Sequence, residues 1–171
     1  MVAALELYLD TDATRRIRTL WRSLESDGIP SMASLLQQKH RPHVSLAAAR
    51  RLDPAMVSAA LSDLQVARPL ELHLDFVGQF VGRVLWLGIT PTAELLAHHQ
   101  AVHDRLSAAG VDVWDLYRPG RWIPHCTISL RVPNPQMSPA VRRCLEMLPL
   151  TATVTAAAVT DHANDISHSL P

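Results

Sequence analysis

The sequence predicts an α+β chain of two pseudo-symmetric lobes, each an antiparallel sheet with helices on the outside, and a central cleft between the sheets. Three observations predict it. First, Pro42-His43-Val44-Ser45-Leu46 returns as Pro124-His125-Cys126-Thr127-Ile128, 82 residues later in a chain of 171. Second, Gly28 and Gly110, each closing a helix-like stretch, keep the same spacing, as do Leu20 with Val102 and Leu24 with Leu106. The match also sets Leu5 and Leu7 against Leu87 and Ile89. Third, strands and helices alternate, and the hairpin-like middle favours antiparallel pairing over a doubly wound parallel sheet. One domain follows, with an internal repeat over roughly 2–82 and 83–160 and a frayed tail over 161–171.

The elements follow in order. Val2 to Leu9 alternates, with Leu5, Leu7 and Leu9 on one face and Glu6 and Tyr8 on the other, as in a half-buried strand. Asp10, Thr11 and Asp12 offer N-cap oxygens to a helix whose apolar positions are Ile17, Leu20, Trp21 and Leu24. Gly28 stops it. Ser31 to Arg41 reads as a polar connector with a helical turn near Leu35, and the first motif strand runs over about 42–48. Asp53-Pro54 opens a second helix reaching Arg68-Pro69, because proline suits the first helical turn. Strands are expected over 70–80 and 84–89, separated by Gly82. A third helix spans 92–109 and a loop 111–120. The second motif strand covers 123–132, Ser138-Pro139 starts a fourth helix, and the final strand lies over 151–160.

The motif carries the chemistry. Residues i and i+2 of a strand share a face, so His43 projects with Ser45 and His125 with Thr127. If a pseudo-twofold axis relates the halves, the two pairs meet across the cleft. That arrangement suits in-line displacement at phosphorus. One neutral imidazole takes a proton from the attacking oxygen, the other gives one to the leaving oxygen, and the hydroxyls hold the non-bridging oxygens. Histidine serves both roles because its pKa lies near 6.5. The same parity nominates Tyr8 and Trp86 as aromatic substrate contacts, and Arg41 and Arg131 as phosphate contacts. It also puts Ser129 on the motif face. Cys126 turns inward.

Composition narrows the class. Lysine and arginine number 16, aspartate and glutamate 16, so the formal net charge is zero, unlike a protein that tracks long nucleic acid. Two cysteines, Cys126 and Cys144, have neither metal-ligand nor redox spacing and read as reduced buried thiols. No apolar run approaches the roughly 20 residues of a membrane span, and the start shows no signal-peptide pattern. A cytoplasmic monomer without membrane contact is expected. His99 and His103 stand four apart on a helix, a spacing that can hold a metal. Without a partnering carboxylate or cysteine, they and His98 read as a solvated face. His40 reads as loop surface, with the site mouth as the alternative, Trp21 and Trp114 read as core or lobe-packing residues, and His73, His162 and His168 suggest no role.

The two motifs, their placement in the two halves and the chain length resemble the 2H phosphoesterase superfamily, in particular its bacterial 2′-5′ RNA ligase-like branch. The resemblance spans about Val2 to Thr160. It implies a bilobal α+β fold, no metal or other cofactor, and hydrolysis of 2′,3′-cyclic phosphates on small nucleotides or RNA ends. It also implies His43 as the acid, His125 as the base, and Ser45 and Thr127 as phosphate holders. Members near the ligase type often carry arginine two residues past each motif, where this chain has Ala48 and Leu130, with Arg50, Arg51 and Arg131 out of register. A small nucleotide or RNA end is therefore the expected partner, not long duplex nucleic acid. Two other functions are open to the sequence: a non-catalytic nucleotide or RNA-end binding module using the same cleft, and a metal-dependent hydrolase built on His98, His99 and His103.

Overall fold

A computed structural model describes residues 2–34, 40–164 and 166–170; the helical turn expected near Leu35 lies outside the described residues. The order is β1 (Ala3–Leu9), α1 (Thr11–Ser26), β2 (His43–Ala49), α2 (Pro54–Ala60), β3 (Glu71–Phe80), β4 (Val84–Ile89), α3 (Ala93–Ala108), β5 (His125–Ser129), α4 (Met137–Leu145), β6 (Leu150–Asp161) and β7 (Ile166–Leu170). All pairings are antiparallel. The sheet runs β2-β1-β6-β3-β4-β5, with β7 added to β6. The long β6 joins the lobes: Leu150 to Thr153 pair with β3, and Val154 to Asp161 pair with β1. Edge strands β2 and β5, which carry the two motifs, pack against each other. Helices pair as α1 with α4 and α2 with α3.

Local chemistry explains these bounds. Asp10 caps α1 by accepting from Ala13 N at 2.9 Å through Oδ1, while its Oδ2 accepts from Thr153 N at 2.7 Å. One carboxylate thus starts the helix and ties it to β6. Asp53 and Thr92 cap α2 and α3 in the same way. Gly28 and Gly110 close α1 and α3 at φ of 72° and 70°, a region that strains residues bearing a Cβ.

The register brings out features that the sequence pattern hides. On β2, Leu46 is skipped between the pairs Leu5–Ala47 and Glu6–Ser45; on β5, Ile128 is skipped between Leu85–Ser129 and Trp86–Thr127. Both bulges fall on the aliphatic residue of the motif. A bulge frees a carbonyl from the ladder, and a buried carbonyl needs a donor. Leu46 O accepts from His103 Nε2 at 2.9 Å and His99 Nε2 at 3.1 Å; Ile128 O accepts from Met32 N at 2.9 Å. The registers also match Leu5 and Leu7 with Leu85 and Leu87, in place of the expected Leu87 and Ile89. The strand-to-helix link is two residues longer in the second half, Thr90 to Thr92 against Asp10 alone.

Several other expectations change. β1 is buried on both faces because the cleft floor lies over Glu6 and Tyr8. α2 ends at Ala60, since Ser62 to Pro69 turns repeatedly. The frayed tail is replaced by the end of β6 and by β7, whose Leu170 covers Ala157 on the ladder. His98, His99 and His103 are buried at 4%, 2% and 6% exposure, not solvated. His99 stacks on Trp122 with centroids 4.0 Å apart, and His98 Nε2 donates to Val66 O at 3.0 Å. Each ring donates one N–H to a backbone carbonyl, and among the described residues these three are not gathered with other ligand atoms in a metal-holding group. Trp114 is exposed, whereas Trp21 is core.

The β3–β4 pair is built around two glycines. Gly78 faces Trp86, and Gly88 faces Phe76; a Cβ added at either position would overlap the opposing aromatic ring. The absent side chains let the rings lie flat across the strands. Gly78→Ala is expected to destabilise the fold by about 1–3 kcal/mol through overpacking. An unchanged denaturant midpoint and unchanged tryptophan emission would contradict that placement of Trp86.

Candidate active site

The bulges leave the first part of each motif strand in regular pairing. His43 sits opposite Tyr8 and Ser45 opposite Glu6; His125 sits opposite Gly88 and Thr127 opposite Trp86. Directly paired residues share a face, so all four motif side chains look into the cleft. One cavity of about 360 Å³ is lined by His43, Ser45, His125 and Thr127 together, with His40 and His162 at its side. Ala48 and Leu130 also line it, at the two positions past the motifs.

Both motif histidines are oriented alike. His43 Nδ1 lies 2.8 Å from Arg41 O, and His125 Nδ1 lies 2.7 Å from Ile123 O. A carbonyl only accepts, so each Nδ1 carries the proton and each Nε2 is the atom that gains or loses one. Their surroundings differ. His125 packs against Phe80 and Trp86, with centroids 4.9 and 5.6 Å away. Burial holds its pKa below the usual histidine value despite the Ile123 hydrogen bond, and His43's charge pushes the same way. His43 instead faces a carboxylate, with Nε2 3.3 Å from Glu6 Oε1.

Glu6 is 1% exposed. Burial alone would raise its pKa, but the charge of His43, the hydrogen bond and charge of His162, and the Tyr8 hydroxyl bring it to about 2. His162 Nε2 donates to Oε1 at 2.6 Å and Tyr8 Oη to Oε2 at 3.0 Å. The Glu6 hydrogen bond and charge, against burial, raise the His162 pKa. His40 completes the group, its ring centroid 5.2 Å from those of both His43 and His162. Burial and the two neighbouring histidines lower its pKa to about 4.

The expected substrate contacts separate into those near the site and those away from it. Tyr8 and Arg41 line a second cavity of about 240 Å³ that shares His40, His43 and His162 with the first. Arg41 lies over the Tyr8 ring at 4.2 Å, a cation–π contact. Trp86 is only 6% exposed and supports His125 rather than offering an open stacking face. Arg131 is exposed and lines neither cavity. The Ile128 bulge explains this: it reverses parity after Thr127, turns Ser129 inward opposite Leu85, and ends the strand before Arg131. Cys126 is fully buried, and burial pushes its thiol up to about 12, which rules it out as a nucleophile at neutral pH. Sequence reading set Glu6 on the cleft face without giving it a role, gave none to His162, and favoured loop surface over the site mouth for His40. Glu6 at an inward strand position was the available signal.

The sequence matches the profile of the 2′-5′ RNA ligase superfamily over residues 10–166. No curated protein matches it. A crystal structure titled phosphoesterase is similar at TM-score 0.60 and 19% identity, covering 99% of this chain and 93% of that one. Escherichia coli LigT complexed with 3′-AMP gives 0.57 and 19%, over 99% and 92%. Kluyveromyces marxianus Usb1 with uridine monophosphate gives 0.54 and 10%, over 99% and 97%. At these identities the solved structures share the two-lobe fold. With the profile match over most of its length, the chain belongs to the 2′-5′ RNA ligase superfamily of phosphoesterases and ligases.

Proposed function

We propose that the protein is a metal-independent phosphodiesterase that hydrolyses 2′,3′-cyclic phosphates of small nucleotides or RNA ends. The observation that carries this reading is the single cavity lined by both histidines and both motif hydroxyls. His125 Nε2, neutral in its aromatic surroundings, accepts a proton from water as the water oxygen bonds to phosphorus. The phosphorus–O3′ bond breaks, and O3′ takes the proton held on His43 Nε2, leaving a 2′-phosphate. Glu6 Oε1 faces His43 Nε2 and not His125, so the carboxylate orients the acid alone. Ser45 and Thr127 donate to the non-bridging oxygens.

The ligand's size is set by charge. The cleft's cationic groups are histidines and Arg41, and the wall past the motifs is Ala48 and Leu130. This suits one phosphate, not a long polyanion. The LigT and Usb1 structures carrying 3′-AMP, ATP and uridine monophosphate support a nucleotide as ligand class.

The test is incubation with 2′,3′-cyclic mononucleotides and cyclic-phosphate-ended oligomers in the presence of chelator, with the product phosphate position read by NMR. A 2′-phosphate product is expected. Saturable binding without product would identify a binding module instead. The kcat/KM profile is expected to be bell-shaped. Because the His125 pKa is lowered, activity should rise with pH through a limb below 6.5 and fall once the acid has lost its proton. A rate that climbs monotonically with pH would contradict this assignment.

A further inference from the structure

One set of donor atoms at the cleft floor is not exhausted by that reaction. Glu6, His43 and His162 each supply a ligand atom, and the three atoms lie within 4.8 Å of one another. They come from three elements, β1, β2 and the turn between β6 and β7. Glu6 is buried, and its Oε2 is held by the Tyr8 hydroxyl, so Oε1, which both histidines face, is the ligand oxygen. His43 Nδ1 is occupied by Arg41 O, which fixes Nε2 as that ring's ligand atom. Such outer hydrogen bonds orient metal ligands.

The spacing fits an ion. Ligand atoms on a tetrahedral zinc, with bonds near 2.0–2.1 Å, stand about 3.3 Å apart. Oε1 is 3.3 Å from His43 Nε2, already the tetrahedral separation, and 2.6 Å from His162 Nε2, which must retreat from it by roughly 0.7 Å. Imidazoles on one such ion place their ring centroids about 5 Å apart. The centroids of His40, His43 and His162 are separated by 5.2, 5.2 and 5.8 Å. His40, 5.2 Å from both rings, contributes no ligand atom to the group.

We propose that Glu6 Oε1, His43 Nε2 and His162 Nε2 form a binding site for one zinc-class divalent cation, which inhibits the enzyme. Two imidazoles and a carboxylate with one open position are a zinc donor set. The binding itself goes beyond the acid–base reading; the inhibition rests on it. An ion on Nε2 takes the lone pair of His43 that must carry the departing proton, so catalysis and metal binding exclude each other.

The test starts from chelator-treated protein titrated with Co2+, whose visible ligand-field bands report tetrahedral coordination. One equivalent is expected to give saturating bands that Zn2+ displaces. E6Q and H162A should weaken Co2+ binding by more than the roughly 10–100-fold typical of second-shell losses. H125A should bind as the unmodified protein does, and far-UV circular dichroism keeps folding failure separate. Absence of saturable bands, or equal Co2+ affinity in E6Q and H162A, would overturn the site. In turnover assays, one equivalent of Zn2+ should suppress cyclic-phosphate hydrolysis and chelator should restore it, while the residual activity of H162A should not respond to Zn2+. Full activity of the Zn2+-loaded protein would overturn the inhibition. Co2+ bands without any turnover would sink the functional reading and leave the site standing. Turnover without bands would do the reverse.

Discussion

Replacing His43 or His125 by alanine is expected to lower kcat/KM for a 2′,3′-cyclic nucleotide by about 10²–10⁴-fold with the fold intact, the range for loss of one acid–base group. The two rings differ in what their loss should do to the pH profile. His125, lowered by burial against Phe80 and Trp86, supplies the limb on the acidic side, so H125A should flatten that limb. H43A, which removes the acid facing Glu6, should leave that acidic limb in place. Because one proton enters as the other leaves, the double variant should be little worse than the worse single variant. Ser45→Ala and Thr127→Ala should each cost less, as hydroxyls that hold charge without transferring a proton. Steady-state rates on purified variants, with circular dichroism as the folding control, decide this. Near-normal turnover in both single variants would end the paired-histidine mechanism.

What the sequence could reveal of this site depended on sequence distance. The motif residues were legible because His43 and Ser45, or His125 and Thr127, are two apart on a strand, and period-two parity is local. The same reasoning failed three residues later. Each motif strand bulges at its aliphatic residue, Leu46 or Ile128, and one extra residue reverses every side chain beyond it. That turned Ser129 inward and took Arg131 off the strand. Glu6 was legible as cleft-facing, but its partner was not: His162 lies 156 residues away and arrives only because β6 runs antiparallel beside β1. The histidines of α3 failed for a different reason. Helical spacing cannot tell a solvated face from one that donates to a bulge carbonyl, and Leu46 O was invisible until the register was known. The constant offset between the motifs survived because insertions fall outside them, as in the longer link between β4 and α3.

Acid should unfold this protein, and the buried histidines set the window. Burial lowers the pKa of His98 and His103, and takes His40 and His99 to about 4. Their folded values lie below the unfolded 6.5, so the unfolded chain binds more protons between the two. Stability is therefore full above pH 6.5, falls as pH drops through 6.5, and stops falling on their account near pH 4. Glu6 extends the loss: its folded pKa of about 2 sits below 4.5, so its stabilisation is present above 4.5 and disappears between 4.5 and 2. His162 runs the other way, raised by Glu6, and contributes below 6.5 until its own higher pKa is passed. A shift like that of His99 corresponds to about 3–4 kcal/mol, against a total of about 5–15 kcal/mol for a typical domain. Urea midpoints at pH 7, 5.5 and 4 should fall steadily. H99Q isolates the cause, because an amide can still donate to Leu46 O but cannot titrate. It should be less stable than the unmodified protein at pH 7, where the stack on Trp122 is lost, and the gap should close or reverse at pH 4. Equal midpoints at pH 7 and 4 would show that these rings are not held neutral in the folded chain.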